Sequence, residues 1–561
     1  MERSDFKLIK ISMIGRSFNR ILFKNACAKI ERRGSMRVSQ FAFMSTGRKR
    51  TEFSVDRSGL IGNPDAIPTQ EENRQALFLA EQGFGSKDDE KAEDDDVDYI
   101  PPSNKEEMSE LAKDLHAYIS VKGPISIHDY MLQCSNHFVH GYYQTSASKI
   151  GSGGDFITAP EMSQLFGEMI GMWCISHWMS LGKPKTIDLI EMGPGKGTLM
   201  NDILNVAKKF PDFHNAIRVN FVELSDTMRN KQKKALGCIP TYDHNDQSLN
   251  TDANAKKDDV KTGIKKMISA NGVPVTWYYS LAQVPETPNT PSLCIAQEFL
   301  DAFPIHQFEY RNGNWKERLV DKCNSNDKDK PYHFKNVLSP GSTPATKALL
   351  QGANISMNDN FNDSSHDSDG NSNSSSSSDN DNKQANRHQD GECLEVSPLA
   401  LATCEAVAMK LCRTGGAGLF IDYGENYTQS DTLRGFKSHK QVNSLSEPGI
   451  VDITADVDFA ACARAAVKRG AIALGAIPQG EFLVRMGIVE RVQSLINSKN
   501  MTDENAIKIL SSLRQLIDNR DMGKRFKVLA LYDGKTNATA TYNGNSNSNI
   551  LNTIGFPPVT L

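Results

Sequence analysis

The segment IDLIEMGPGKGTLM at residues 187–200 constrains the fold of this chain more than any other. A short, mostly apolar run suited to a buried strand leads into Glu191-x-Gly193-x-Gly195-x-Gly197, and a helical pattern opens behind it. Glycines permit positive φ and let a ligand approach the backbone closely. Many strand-to-helix turns use glycine for geometry alone, so the spacing and the acid carry the reading. A dinucleotide site wants Gly-x-Gly-x-x-Gly, with a helix N-terminus facing a pyrophosphate. The spacing here favours S-adenosylmethionine, which has no phosphate and carries a positive ammonium and sulfonium. A carboxylate near the turn helps neutralise those charges. Glu191, Gly193, Gly195 and Gly197 are therefore candidate cofactor-binding residues.

The next strand-like run, residues 218–223, ends in Glu223, 28 residues after Gly195. That is where an α/β nucleotide site places an acceptor for the ribose hydroxyls, although an ordinary loop acid would look the same. Helix-like segments at 199–210, 228–236 and 402–412 alternate with strand-like segments at 187–192, 218–223, 293–296 and 418–422. This alternation predicts an α/β doubly wound, mostly parallel sheet with ligands beyond the carboxyl ends of its strands. Residues 481–484 and 526–532 are candidates for its last strands, the final one open to an antiparallel direction. Residues 104–150 read as an N-terminal helical region, clearest at 111–119 and 127–133.

Two further segments carry polar groups toward the same end of the sheet. In GGDFITAPE, residues 153–161, Thr158 and Glu161 have the spacing of a capping box, with Pro160 in the first turn, and Met162, Leu165, Phe166, Met169 and Trp173 follow at helical spacing. Capping leaves Asp155 and Phe156 unexplained, and they are candidate cofactor contacts on a loop able to close over a ligand. In AQEFLDAFP, residues 296–304, Gln297, Glu298 and Asp301 follow a strand, where an acceptor substrate would meet a methyl group.

Composition bounds the alternatives. Of 561 residues, 39% are hydrophobic and 24% charged, which excludes a wholly disordered or collagen-like chain. The net charge of -4 conceals a polarised start, +10 over residues 1–50 and -10 over 51–100. The remainder is too nearly neutral for a general nucleic-acid binder. No apolar run reaches the ~18 residues needed to span a bilayer. Residues 1–45 are rich in Arg and Ser, and Ile14, Phe18, Ile21 and Leu22 share one helical face. This is the composition of a mitochondrial transit peptide, and it improves if translation starts at Met13. Residues 46–103 read as an acidic disordered linker. Between 359 and 382, 21 of 24 residues are Ser, Asn or Asp, too polar to offset chain entropy by burial. Residues 353–392 therefore read as a low-complexity insertion, and 536–561 as a polar tail. The ten cysteines form no C-x-x-C pair and no zinc spacing, so neither a disulfide framework nor a metal site is expected.

GGDFITAPEMSQLFGE, IDLIEMGPGKGTLMNDIL, AQEFLDAFPIHQF, FIDYG, DTLRGFKSHK and GIVDITADVDF together resemble the MidA-like mitochondrial protein arginine methyltransferase family, which acts in assembly of respiratory complex I. The likeness runs in order through about residues 104–350 and 393–535. It implies a class I, Rossmann-like methyltransferase domain over 151–535, with S-adenosyl-L-methionine as methyl donor. It further implies symmetric dimethylation of an arginine in a complex I core subunit and placement in the mitochondrial matrix; oligomeric state stays open. A guanidinium, with pKa above ~12, is protonated and weakly nucleophilic, and carboxylates can hold its planar fork and balance its charge. Glu298 and Asp301 are the candidates for that role, with Asp155 or Asp422 as helpers, whereas His306 and His439 are assigned no chemistry. The rival reading is a non-catalytic assembly factor that keeps the cofactor fold to bind a complex I subunit.

Overall fold

The fold is that of a computed structural model, which describes residues 107–145, 157–240, 265–323, 332–350, 388–534, 550–551, 553–557 and 559–560. The transit-peptide and linker readings, Asp155, Phe156 and residues 353–387 of the insertion lie outside the described residues.

Seven strands of a central sheet organise the molecule: β1 (Ile187–Met192), β2 (Ile217–Val222), β3 (Pro274–Tyr278), β4 (Ser292–Gln297), β5 (Gly416–Glu425), β6 (Ala471–Pro478) and β7 (Phe526–Asp533). Their order is β3-β2-β1-β4-β5-β7-β6. The strands β1 to β5 pair in parallel, and β7 runs antiparallel between β5 and β6. Every residue of β1 and β4 is buried, as expected for parallel strands covered on both faces. One face packs under α1 (Gln164–Ser180) and α2 (Thr198–Ala207). The helix α3 (Asp226–Ala235) follows β2, and α4 (Pro398–Thr414) and α5 (Phe459–Val467) cover the opposite face. The doubly wound α/β expectation holds, including the antiparallel last strand.

Local expectations fail at four places, each for a physical reason. Residues 481–484 are not a strand but lie in the helix Gln479–Arg485, directly after β6. Phe482 and Leu483 are both fully buried, so the run has no period that separates helix from strand. The Thr158 side chain makes no capping bond; Ser163 instead accepts from the Leu165 N–H at 3.3 Å and starts α1. The strand β3 has no counterpart in the sequence reading; Pro274 is tolerated at its first residue, and Val275, Thr276, Trp277 and Tyr278 supply the β-branched and aromatic side chains that hold it in the sheet. The polar tail is not polar throughout. Phe556 is 2% exposed and its ring lies 5.5 Å from that of Phe482. Phe556→Leu is expected to cost about 1 kcal/mol, read as a lower urea midpoint at unchanged slope.

A second, antiparallel sheet forms a separate layer. Ile125–Ser126, Asn314–Lys322, His306–Arg311 and Cys393–Val396 form an antiparallel sheet, with Phe334–Leu338 paired on Asn314–Lys322. The helices Glu110–Lys122 and Ile127–Asn136 pack Leu111, Leu115, Tyr130 and Met131 against Val320, Phe334, Val451 and Ile453. The N-terminal helical region thus shares one core with strands from much later in the chain.

Candidate functional site

The carboxyl ends of β1, β2, β4 and β5 converge on the glycine turn. Gly193, Gly195 and Gly197 all have positive φ, at 63°, 51° and 83°. A Cβ on Gly193 would lie 2.5 Å from Phe299 Cδ2, and one on Gly197 3.3 Å from Gln232 Cα. These two glycines are therefore demanded by packing. A Cβ on Gly195 would meet nothing within 4 Å, so the turn leaves open space at that position. Beneath it, Glu191 is 3% exposed, and its Oε2 has no hydrogen-bond partner among the described residues. Burial pushes its carboxyl well above the usual range. An open cradle beside a buried carboxyl lacking a partner suits a cationic ligand without phosphate, as S-adenosylmethionine is.

The residues just ahead of α1 lie across the turn. Glu161 accepts from the Thr198 hydroxyl and pairs with Lys196 Nζ at 3.4 Å, tying this segment to the first residue of α2. The acid assigned to a capping box thus reaches the glycine turn instead. Two residues earlier, the Ala159 N–H donates to Glu298 Oε1 at 3.2 Å.

Glu223 follows β2 and is partly buried. Its Oε1 accepts from the Ser225 N–H at 2.8 Å and its Oε2 from Gln232 Nε2 at 3.0 Å. Burial raises its pKa, opposed by these bonds and by the nearby Arg229 charge. Arg229 donates to the Glu223 carbonyl through Nε at 2.9 Å and Nη2 at 2.6 Å.

The turn after β4 carries Glu298 and Asp301, the acids the sequence reading offers for a guanidinium. Asp422 on β5 accepts with Oδ2 from the N–H groups of Phe299, Leu300 and Asp301, at 3.0, 2.9 and 3.2 Å. Its Oδ1 accepts from the Tyr423 N–H at 2.9 Å. Asp422 therefore shapes the turn, and both of its oxygens are committed to backbone. Glu298 sits in the left-handed region at φ 47°, its N–H bonded to Ile421 O at 2.8 Å. Gln297 Nε2 and the Ala159 N–H both donate to Glu298 Oε1, and among the described residues no donor reaches Oε2. Burial and the nearby Asp301 charge push its pKa up to about 8. Asp301, 7% exposed, accepts from the Tyr423 hydroxyl, and the Arg434 guanidinium lies 5.0 Å over the Tyr423 ring. Burial raises the Asp301 pKa to about 6, with Tyr423 and Arg434 pulling the other way.

Of the sequence candidates, Glu191, Gly193, Gly195, Gly197, Glu223, Glu298 and Asp301 thus gather at one end of the sheet, while Asp155 and Phe156 lie outside the described residues. His306 pairs with Glu317 Oε1 at 2.7 Å and stacks on His128 in the second layer, whereas His439, at φ 62°, sits in the turn between Arg434–Lys437 and Lys440–Val442. Gln232 and Trp277 escaped the sequence reading, and Tyr423 and Arg434, although they lie in FIDYG and DTLRGFKSHK, were given no role there. No short-range spacing links Gln232 and Trp277 to the glycine turn, or Tyr423 and Arg434 to Asp301. Among the described residues no group of three or more His, Cys, Asp or Glu could hold a metal, and no helix is long and apolar enough to cross a membrane.

Residues 169–477 match a family model described as "Putative S-adenosyl-L-methionine-dependent methyltransferase". The chain is 33% identical over 425 residues to a mitochondrial protein arginine methyltransferase NDUFAF7 of Danio rerio, covering 75% of this chain and 86% of that one. The Drosophila melanogaster NDUFAF7 homolog is 33% identical over 479 residues, 85% and 91% of the two chains, and the human protein 32% over 426 residues, 76% and 83%. In fold, the chain is similar to a Burkholderia thailandensis protein crystallised with S-adenosyl-homocysteine, at a TM-score of 0.55 and 24% identity over 76% of this chain and 92% of that one. With a doubly wound sheet, a glycine cradle fit for the cofactor and relatives matched over most of both lengths, the chain belongs to the S-adenosyl-L-methionine-dependent methyltransferase family that includes the NDUFAF7 proteins.

Proposed function

We propose that this chain methylates a protein substrate on arginine, symmetrically dimethylating one residue of a mitochondrial complex I core subunit in the matrix and so supporting assembly of that complex. The observation that carries the reading is the packing of Phe299 against Gly193. It makes the glycine turn and the Glu298–Asp301 turn neighbours on the adjacent strands β1 and β4, so a methyl donor bound at the first would lie close to an acceptor nitrogen held at the second. S-adenosylmethionine, when bound, supplies an electrophilic methyl on a sulfonium. Glu191, the three glycines and Glu223 would hold it, with Asp155 and Phe156 as the further candidates from the sequence. Glu298 presents Oε2 to the guanidinium, orients one nitrogen toward the methyl carbon and takes the proton which that nitrogen sheds. Asp301, braced by Tyr423, adds negative charge behind it. The names of the relatives support arginine as the acceptor and the mitochondrion as the compartment, and the motif resemblance supports the complex I target and the symmetric product.

The reading is tested with isotopically labelled cofactor, the purified chain and separated complex I core subunits. Mass spectrometry is expected to find symmetric dimethylarginine at one residue of one subunit, and to find it missing from complex I of cells lacking the protein. Cofactor binding without transfer to any subunit would instead establish the non-catalytic assembly factor.

A further inference from the structure

We propose that Gln232 is a positioning residue for the cofactor, locking the glycine turn and Glu223 into one cradle while Trp277 fixes which way its amide faces. The proposal rests on reading the glycine turn and Glu223 as the cofactor site. Gln232 lies on α3 and is 0% exposed. A buried primary amide must place both its N–H groups and its carbonyl, or pay the desolvation cost of each. Its Nε2 donates to Gly195 O at 2.8 Å and to Glu223 Oε2 at 3.0 Å, and its Oε1 accepts from Trp277 Nε1 at 2.8 Å. An indole N–H can only donate. Flipping the amide would aim N–H groups at the indole N–H and an oxygen at both a carbonyl and a carboxylate, so Trp277 fixes the orientation together with the two acceptors.

The neighbours of Gln232 explain why the cradle is stiff. Gly197 lets α3 approach, since a Cβ there would crowd Gln232 and come within 3.1 Å of Leu236 Cδ1. From the same helix, Arg229 holds the Glu223 carbonyl and lies 3.8 Å over the Tyr279 ring. The helix α3 therefore grips Glu223 through both its backbone and its side chain, and grips the glycine turn through Gly195. The two ends of the site, on β1 and β2, keep a fixed separation before any ligand arrives, so binding energy is not spent on ordering them.

Calorimetric titration of the full chain tests this, using S-adenosylhomocysteine, which spans both ends, and 5′-methylthioadenosine, which lacks the methionine end. The variants are Gln232→Met, Glu223→Gln and the double substitution. Gln232→Met is expected to weaken S-adenosylhomocysteine by at least about tenfold and 5′-methylthioadenosine distinctly less. The double variant is expected to bind little worse than the weaker single, because Glu223 without Gln232 has already lost its placement. Wild-type affinity in Gln232→Met, strictly additive losses, or equal weakening of both ligands would overturn the proposal. Wild-type affinity in Glu223→Gln would instead overturn the underlying site reading. Should Gln232→Met fail to fold, Trp277→Phe takes its place; it leaves the buried Gln232 Oε1 without its donor and so loosens the amide's placement, and unchanged affinity there also overturns the proposal.

Discussion

Replacing Glu298 by glutamine is expected to lower kcat/KM for an arginine-containing peptide on the order of 10²–10³-fold, with S-adenosylhomocysteine affinity close to that of the wild type. Glutamine preserves the side-chain shape and can still meet the Ala159 N–H with its carbonyl oxygen, but it cannot balance a guanidinium charge or take its proton. The dependence on pH follows from the raised pKa. With the Glu298 carboxyl at about 8 and Asp301 at about 6, the free enzyme is largely neutral at Glu298 near pH 7. Since the guanidinium needs the ionised form, kcat/KM should climb with pH and level off above about 8. Stability moves the opposite way. An acid whose folded pKa is raised favours the protonated fold, so between its ordinary 4.5 and about 8 the unfolded chain releases its proton first and stability falls as pH rises. Glu298→Gln should flatten both profiles over that window. A variant that transfers methyl groups at the wild-type rate would remove Glu298 from the chemistry.

The legible part of this protein is its hydrophobic skeleton. β1, β4 and β5 are near-continuous apolar runs bounded by turn residues, and burial on both faces leaves such runs little alternative to a parallel sheet. The cofactor-side candidates are legible because the glycine turn is local, with acid, glycines and helix start inside a dozen residues. The acceptor side is less so. Asp301 is three residues from Glu298, yet its environment comes from Tyr423 and Arg434, more than a hundred residues later, and nothing in the spacing joins them to it. The second layer escapes for a related reason. Asn314–Lys322 is mixed in polarity; the Asn312-Gly313 turn that pairs it with His306–Arg311 is a local hairpin signal the sequence reading passed over, whereas Ile125–Ser126 on its other edge and Cys393–Val396 beyond His306–Arg311 come from far along the chain. Thr158 and Glu161 mislead differently, because an acid spaced for a cap found a stronger site on Thr198 and Lys196.

Two glycines of one motif should fail in different ways. Gly195→Val fills the open space above the turn, so S-adenosylhomocysteine affinity should fall at least on the order of 100-fold. The left-handed φ of 51° adds a strain of about 1–2 kcal/mol, visible as a modestly lower urea midpoint. Gly193→Ala is the smaller change, yet its Cβ would press on the Phe299 ring at 2.5 Å. The ring cannot yield without moving a turn that Asp422 holds by three backbone N–H groups. Overpacking of about 1–3 kcal/mol adds to the strain of φ 63°, for a loss of stability of roughly 2–5 kcal/mol. Because Phe299 follows Glu298, methyl transfer should fall along with stability, even at saturating cofactor. If Gly195→Val kept wild-type affinity, the open space would not be the cofactor's cradle. If Gly193→Ala kept wild-type stability and transfer, the two turns would not be packed as rigidly as a methyl donor and its acceptor need to be.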